Sequence, residues 1–137
     1  MKSLTRYLWF NTKEEKELVP ITEQVAALVE ESKVKEGFCL VSAVHITAGV
    51  YVNDEESGLM DDIMKWAEKV APSGLPYKHH HTGESNADAH LKRLLIGHQV
   101  VLPITEGKLD LGPWERVFYA EFDGKRKKRV IVKIIGE

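Results

Sequence analysis

The sequence predicts an α+β fold, a single compact domain over residues 1–137 with about three helices and a mixed or antiparallel sheet. Three helix-period apolar patterns are set among β-like runs. No linker, low-complexity segment or internal repeat divides the chain. A length of 137 residues suits one domain, and 43% hydrophobic with 29% charged residues is an ordinary globular balance. Such a chain buries about two-thirds of its unfolded surface without disulfides.

Leu4 to Phe10 carries Leu, Tyr, Trp and Phe and breaks at Asn11-Thr12, which predicts a first strand. Pro20 and Thr22 then open an amphipathic helix with Ile21, Val25, Leu28 and Val29 on one side and Gly37 as its expected stop. Phe38 to Val52 is a long apolar run, read as two strands or as one strand bent or bulged at Gly49. Asn53-Asp-Glu-Glu-Ser57-Gly58 is turn-like. Leu59, Ile63, Trp66, Ala67 and Val70 follow at helical spacing, and Ala71-Pro72 ends that second helix. Asn86 as N-cap and Gly97 at the other end bracket a short third helix. Val100–Leu102, Val117–Ala120 and Val130–Ile135 are strands separated by Gly-containing turns, which predicts an antiparallel meander.

Cys39 is the only cysteine, which fits a reducing compartment. No apolar stretch approaches the ~20 residues needed to cross a bilayer, and Met1–Arg6 lacks a signal-peptide core. The expectation is a cytoplasmic protein with no membrane partner. Lys and Arg number 19 against 21 Asp and Glu, so the net charge of −2 offers phosphate backbones no global attraction and argues against a nucleic-acid partner.

The six histidines are unevenly placed: His79-His80-His81, then His90, with His45 upstream in an apolar run. Neutral imidazole is the commonest protein metal ligand, so the clustering points to a site of His45, His79 and His90. On the third helix His90 shares a face with Ala87, Leu91 and Leu94, which predicts that it points inward. A buried His45 without a partner would lose about 1–3 kcal/mol, so it too is expected to be engaged. Three histidines are the number a catalytic zinc often uses, with one position left for water or substrate. A lone histidine is more commonly a satisfied core or surface residue, and His81 and His98 are read that way.

Other residues offer anion or substrate contacts. Arg126 can bind phosphate bidentately, although Lys125–Arg129 also reads as a solvated hairpin tip. Asn86 caps a helix whose free amides can hold an anion. Asn53, Asp54 and Glu55 form a turn able to bind a metal or a hydroxyl, or serve simply as turn formers. Glu84 is explained by the helix dipole. Trp114, after Gly112-Pro113, either stacks on a heteroaromatic substrate or fills the core.

Several spacings together resemble the YjbQ family over nearly the whole chain. They are His45-Ile-Thr-Ala with Asn53 eight residues later, Tyr77-x-His79, Ala89-His90, Gly97, Leu102-Pro-Ile-Thr-Glu-Gly107 running on to Gly112-Pro-Trp114, and Glu121-Phe-Asp-Gly124-Lys-Arg126. The family more often has an acidic residue at His80 and Gln at Glu115. The resemblance implies a YjbQ-like α+β subunit assembled as a homotrimer, with the matching histidines lining a site between or beside subunits.

It also implies secondary thiamine-phosphate synthase activity, in which an aminopyrimidine diphosphate is joined to a thiazole phosphate and pyrophosphate leaves. In that scheme Arg126 or a metal would stabilise the leaving group, and His45 and His90, with Asn53, would be catalytic. A histidine site favours a divalent metal such as Zn²⁺ or another transition metal over Mg²⁺, which prefers carboxylates. The alternatives are a metal-dependent hydrolase or phosphatase of a small phosphorylated metabolite, or a non-catalytic trimeric protein that binds a metal or metabolite.

Overall fold

A computed structural model describes all residues, 1–137. Eight strands and three α-helices run in the order β1 (Lys2–Phe10), β2 (Glu17–Pro20), α1 (Thr22–Ser32), β3 (Gly37–Ala43), β4 (Ala48–Asn53), α2 (Ser57–Val70), α3 (Ala87–Ile96), β5 (Gln99–Thr105), β6 (Lys108–Leu109), β7 (Arg116–Glu121) and β8 (Lys128–Gly136). A 3-10 turn at Lys78–Thr82 precedes α3. The strands form two sheets rather than one, ordered β1-β8-β3-β5-β6 and β2-β7-β4, and every pairing is antiparallel. Of the mixed and antiparallel alternatives the antiparallel one holds, while the simple meander is corrected. Only β5 and β6 pair as neighbours in sequence; β7 passes to the smaller sheet and β8 returns between β1 and β3.

The core lies between the inner face of the larger sheet, helix α1 and the smaller sheet. Cys39, Val41, Val132 and Ile134 meet Ile21, Val25 and Val29 of the α1 segment and Val50, Val117 and Tyr119 of the smaller sheet. Residues two apart share a strand face and those four apart share a helix face, so each list follows from its own periodicity. Strand β7 is buried on both faces, which explains its unbroken Val117-Phe-Tyr-Ala run. Phe118 and Ala120 turn from the main core toward a second cluster under α2 and α3, where Phe118 stacks on Tyr51 at 5.0 Å.

Three boundaries differ from those expected. Helix α1 stops at Lys33, whose φ of 62° is left-handed, while Gly37 opens β3. Helix α2 is capped by Glu56, whose carboxylate accepts from the Gly58 and Leu59 amides at 2.6 and 2.9 Å. The Phe38–Val52 run breaks at Val44–Thr47, where the chain leaves one sheet for the other. Gly49 lies within β4 and serves a close approach: a Cβ there would sit 2.3 Å from the Gly97 carbonyl. That contact holds the end of α3 against β4, and the Val50 amide donates to the same carbonyl at 3.2 Å.

Candidate functional site

Three chain connections converge on a basin of about 460 Å³. The β3–β4 crossing supplies His45, Ile46 and Thr47; the 3-10 turn and start of α3 supply His79, Asn86 and His90; the β7–β8 connection supplies Arg126, Lys127 and Lys128. Each group sits at or next to the end of a regular element, with His90 in the first turns of α3 and Lys128 opening β8. The β7–β8 turn depends on Gly124. A Cβ at that position would lie 2.2 Å from Thr12 Oγ1 and 2.6 Å from the Glu14 carbonyl. The next residue, Lys125, takes the left-handed φ of 63° that redirects the chain toward Arg126.

A hydrogen-bonded chain links the cation side of the basin to its histidines. Arg126 donates to Asp123 Oδ2 at 2.5 Å, and Asn86 Nδ2 donates to the same oxygen at 2.9 Å. The Asn86 amide is thereby oriented with Oδ1 facing His79 Nε2, 3.2 Å away. An oxygen can only accept, so His79 Nε2 is the donor in this contact. The His79 ring meets that of His90 edge to face, with centroids 4.7 Å apart.

Beneath the basin is a buried ionic group. Lys128 is 1% exposed, and its ammonium donates to Glu121 Oε2 at 2.5 Å and to Thr47 Oγ1 at 2.7 Å. The Tyr119 hydroxyl donates to Glu121 Oε1 at 2.7 Å. Burial, followed by the hydrogen bond to Glu121, pushes the Tyr119 hydroxyl pKa up, so the phenol remains protonated. Burial also pushes the His45 pKa below 6.5; nearby Lys128, Arg129 and Arg126 act in the same direction and outweigh Glu121. His90 is lowered by burial and then by His79, against the opposing carboxylate of Asp123. Both imidazoles are therefore held toward the neutral form, with lone pairs for a proton or a metal, beside fixed positive charge.

Of the residues predicted to act together, His45, His79, His90, Asn86 and Arg126 share the basin. Asn53 and Trp114 do not: they line another cavity with Asp54 and Glu115. The catalytic placing of Asn53 beside His45 and His90 is thus corrected. Asn53 stands at the far end of β4, and its Oδ1 accepts from the amide of the next residue, Asp54, at 2.8 Å. Trp114 neither fills the core nor approaches the histidines; it is 74% exposed. Asn86 makes no side-chain cap; the Ala87 amide donates instead to His80 Nε2 at 3.3 Å, which removes that amide from anion binding.

His45 lies in the inter-sheet crossing rather than inside a strand. His90 does not share an inward face with Leu91 and Leu94, since Leu94 is 78% exposed; the buried side of α3 carries Asp88, Ala89 and Lys92. As arranged, no three His, Cys, Asp or Glu side chains are close enough together to hold a metal ion. Lys128 stands within a basic run that reads as solvated, which hides its burial. Its parity was the available signal, for it shares a β8 face with Val130, Val132 and Ile134.

Residues 6–137 match the family model described as UPF0047 protein YjbQ-like. The chain belongs to the YjbQ family. A UPF0047 protein of Archaeoglobus fulgidus is 44% identical over 128 residues, covering 93% of this chain and 98% of that one. A solved structure from Sulfolobus solfataricus, described as a YbjQ-like protein of unknown function, superposes with a TM-score of 0.95 at 37% identity and 99% coverage of both chains. A YjbQ/UPF0047 family structure from Clostridium acetobutylicum gives 0.89 at 35% identity, covering 95% of this chain and 99% of that one.

These family relatives carry family names, and the Sulfolobus protein is expressly one of unknown function. The thiamine-phosphate synthase activity expected from the resemblance is thereby corrected: these relatives are named for the family alone, and none of the names gives that activity. The chemistry of the basin agrees: it holds three histidines and three cations with Glu84 as its only carboxylate, unlike the carboxylate set that Mg²⁺–pyrophosphate needs.

Proposed function

We propose that the basin binds a small phosphorylated metabolite, its phosphate held by Arg126 and Lys127. The observation that carries this reading is the convergence of those cations with two histidines kept toward neutrality. Arg126 is half exposed and already oriented by Asp123, so its remaining N–H groups can meet a phosphate with little reorganisation. His45 and His90 then stand beside the bound ester as proton acceptors. The test is calorimetric titration of inorganic phosphate into the full chain in an anion-poor buffer. Charged hydrogen bonds contribute roughly 1.5–3 kcal/mol each, so Arg126→Ala is expected to weaken binding about tenfold or more with the fold retained. Equal affinity in both proteins would remove the reading.

A second reading, favoured by the contact between His79 and His90, is a transition-metal ion of the Zn²⁺ class on this pair. It requires His45 to approach them. Metal analysis of tag-free protein beside His90→Ala decides it: stoichiometric metal lost in the variant supports the ion, and metal-free wild-type protein ends the reading.

The reading extends to a homotrimer. Its support is the outer face of the larger sheet, where Phe38 lies between Ile135 and Pro103 and Val101 beside Leu40, with Tyr7 and Trp9 further along. Trp9 sits under the Lys127 ammonium at 4.7 Å, which would put the basin at the edge of such an interface. A cytoplasmic location is part of the same proposal, supported by the unpaired, buried Cys39 thiol, whose pKa burial pushes up to about 12. No helix is long and apolar enough to cross a membrane.

A further inference from the structure

We infer that the ligand is a phosphate ester of an apolar or aromatic alcohol, its organic group seated on a shelf made by Tyr77, Ala87 and Leu91. This rests on the phosphate reading of the basin and adds the substrate class. Two cavities meet at His79 and His90. One is the basin, whose lining includes a single hydrophobic residue, Ile46. The other, of about 290 Å³, has Tyr77, Ala87 and Leu91 beside the two histidines, with Lys78 completing its wall. A molecule that fills both is anionic at one end and apolar at the other, and its ester oxygen falls beside the imidazole pair.

The surface between Tyr77, Ala87 and Leu91 is apolar because the polar atoms beside it are engaged elsewhere, and Lys78 stands at its rim. The Tyr77 hydroxyl donates to the Pro72 carbonyl at 2.7 Å, the Ala87 amide donates to His80 Nε2 at 3.3 Å, and His79 Nε2 donates to Asn86. Ring and hydrocarbon surface is what these residues have left to offer. The shelf is also rigid before any ligand arrives. Tyr77 is held at its hydroxyl and, at the ring, by an edge-to-face contact with His80 at 5.6 Å, while His80 is itself held by α3. A preformed surface of this kind loses little conformational freedom on binding. Leu91 stands 41% exposed at its edge, and covering it with a ring or alkyl chain takes apolar area out of water.

Calorimetry on the full chain with two probes, inorganic phosphate and phenyl phosphate, tests the inference. Phenyl phosphate is expected to bind about tenfold more tightly, because the ring adds apolar burial that phosphate lacks. Leu91→Asn, at an exposed position, is expected to shrink that ratio severalfold and leave inorganic phosphate affinity unchanged. Nuclear Overhauser contacts between phenyl protons and the Leu91 methyls supply the second readout. Normal phosphate binding with a ratio near one, or a ratio indifferent to Leu91→Asn, overturns the shelf and leaves the basin standing. Failure of inorganic phosphate to bind at all overturns the basin and the ester together.

Discussion

Lys128 belongs by sequence to the basic stretch Lys125–Arg129, but Lys125, Arg126 and Lys127 are exposed and it is buried. Its ammonium and the Glu121 carboxylate neutralise each other under the basin, and Tyr119 and Thr47 fill the remaining hydrogen-bonding positions. Removing one member of such a pair strands the other charge in a medium of low polarity. Lys128→Met is therefore expected to destabilise the fold by about 3–5 kcal/mol, measured as a fall in the urea midpoint. A loss under about 1 kcal/mol would mean that the pair is hydrated.

The histidines give a second expectation at this scale. His45 and His90 have folded pKa values below 6.5, so between the folded and unfolded values the unfolded chain binds more protons and stability rises with pH. Acidification from pH 7 through that window is thus expected to lower the urea midpoint, by a small amount because both rings are partly solvated. NMR titration should place both midpoints below 6.5, and bound phosphate should raise them. Midpoints at or above 6.5 would contradict the cationic, desolvated environment.

Among the elements, α3 carries the most consequence for the site, since it holds His90 and starts at Asn86. Its position is fixed at both ends of its buried side. Lys92, fully buried, donates to Asp88 at 2.6 Å and to the Ala71 carbonyl at 2.7 Å, and lies 3.0 Å from Glu68 of α2. At the C-terminal end, the Gly97 carbonyl rests on Gly49. Gly49→Ala forces β4 and α3 apart, and overpacking of this kind typically costs about 1–3 kcal/mol. The expected outcome is a lower melting temperature and weaker phosphate binding together, because the displacement carries His90 with it. Unchanged stability would show that α3 is free to shift. The helix pattern made the existence of α3 legible, but not its facing. The spacing predicts Leu91 and Leu94 inward with His90, whereas the buried side carries Asp88 and Lys92, paired with each other.

For the molecule as a whole, the unpartnered outer face of the larger sheet sets the expectation. Phe38, 58% exposed at the middle of that face, is held on both sides by strands and has no layer above it. Monomeric proteins seldom leave this many large apolar side chains open to water on one sheet face. Sedimentation of the wild type is expected to give a trimer, and Phe38→Glu a monomer that keeps its circular dichroism spectrum. A wild-type monomer at micromolar concentration would rule the assembly out.

The sequence by itself determined the α+β class, three helices at their correct places, most of the strands, and the family. These follow from periodicities and end signals that act over a few residues, and from spacings that Gly97, Gly107 and Gly124 mark along the chain. It also singled out five of the basin residues by type, because histidine clusters and a Gly-x-Arg turn are local features. Only the tertiary structure decided that β7 and β8 part into different sheets, that Asn53 and Trp114 stand away from the histidines, and that Lys128 is buried. Strand partners and the burial of a charge depend on groups far apart in the chain. His45, Asn86 and Arg126 meet because three connections end at one place, and nothing within reach of any one of them specifies the other two.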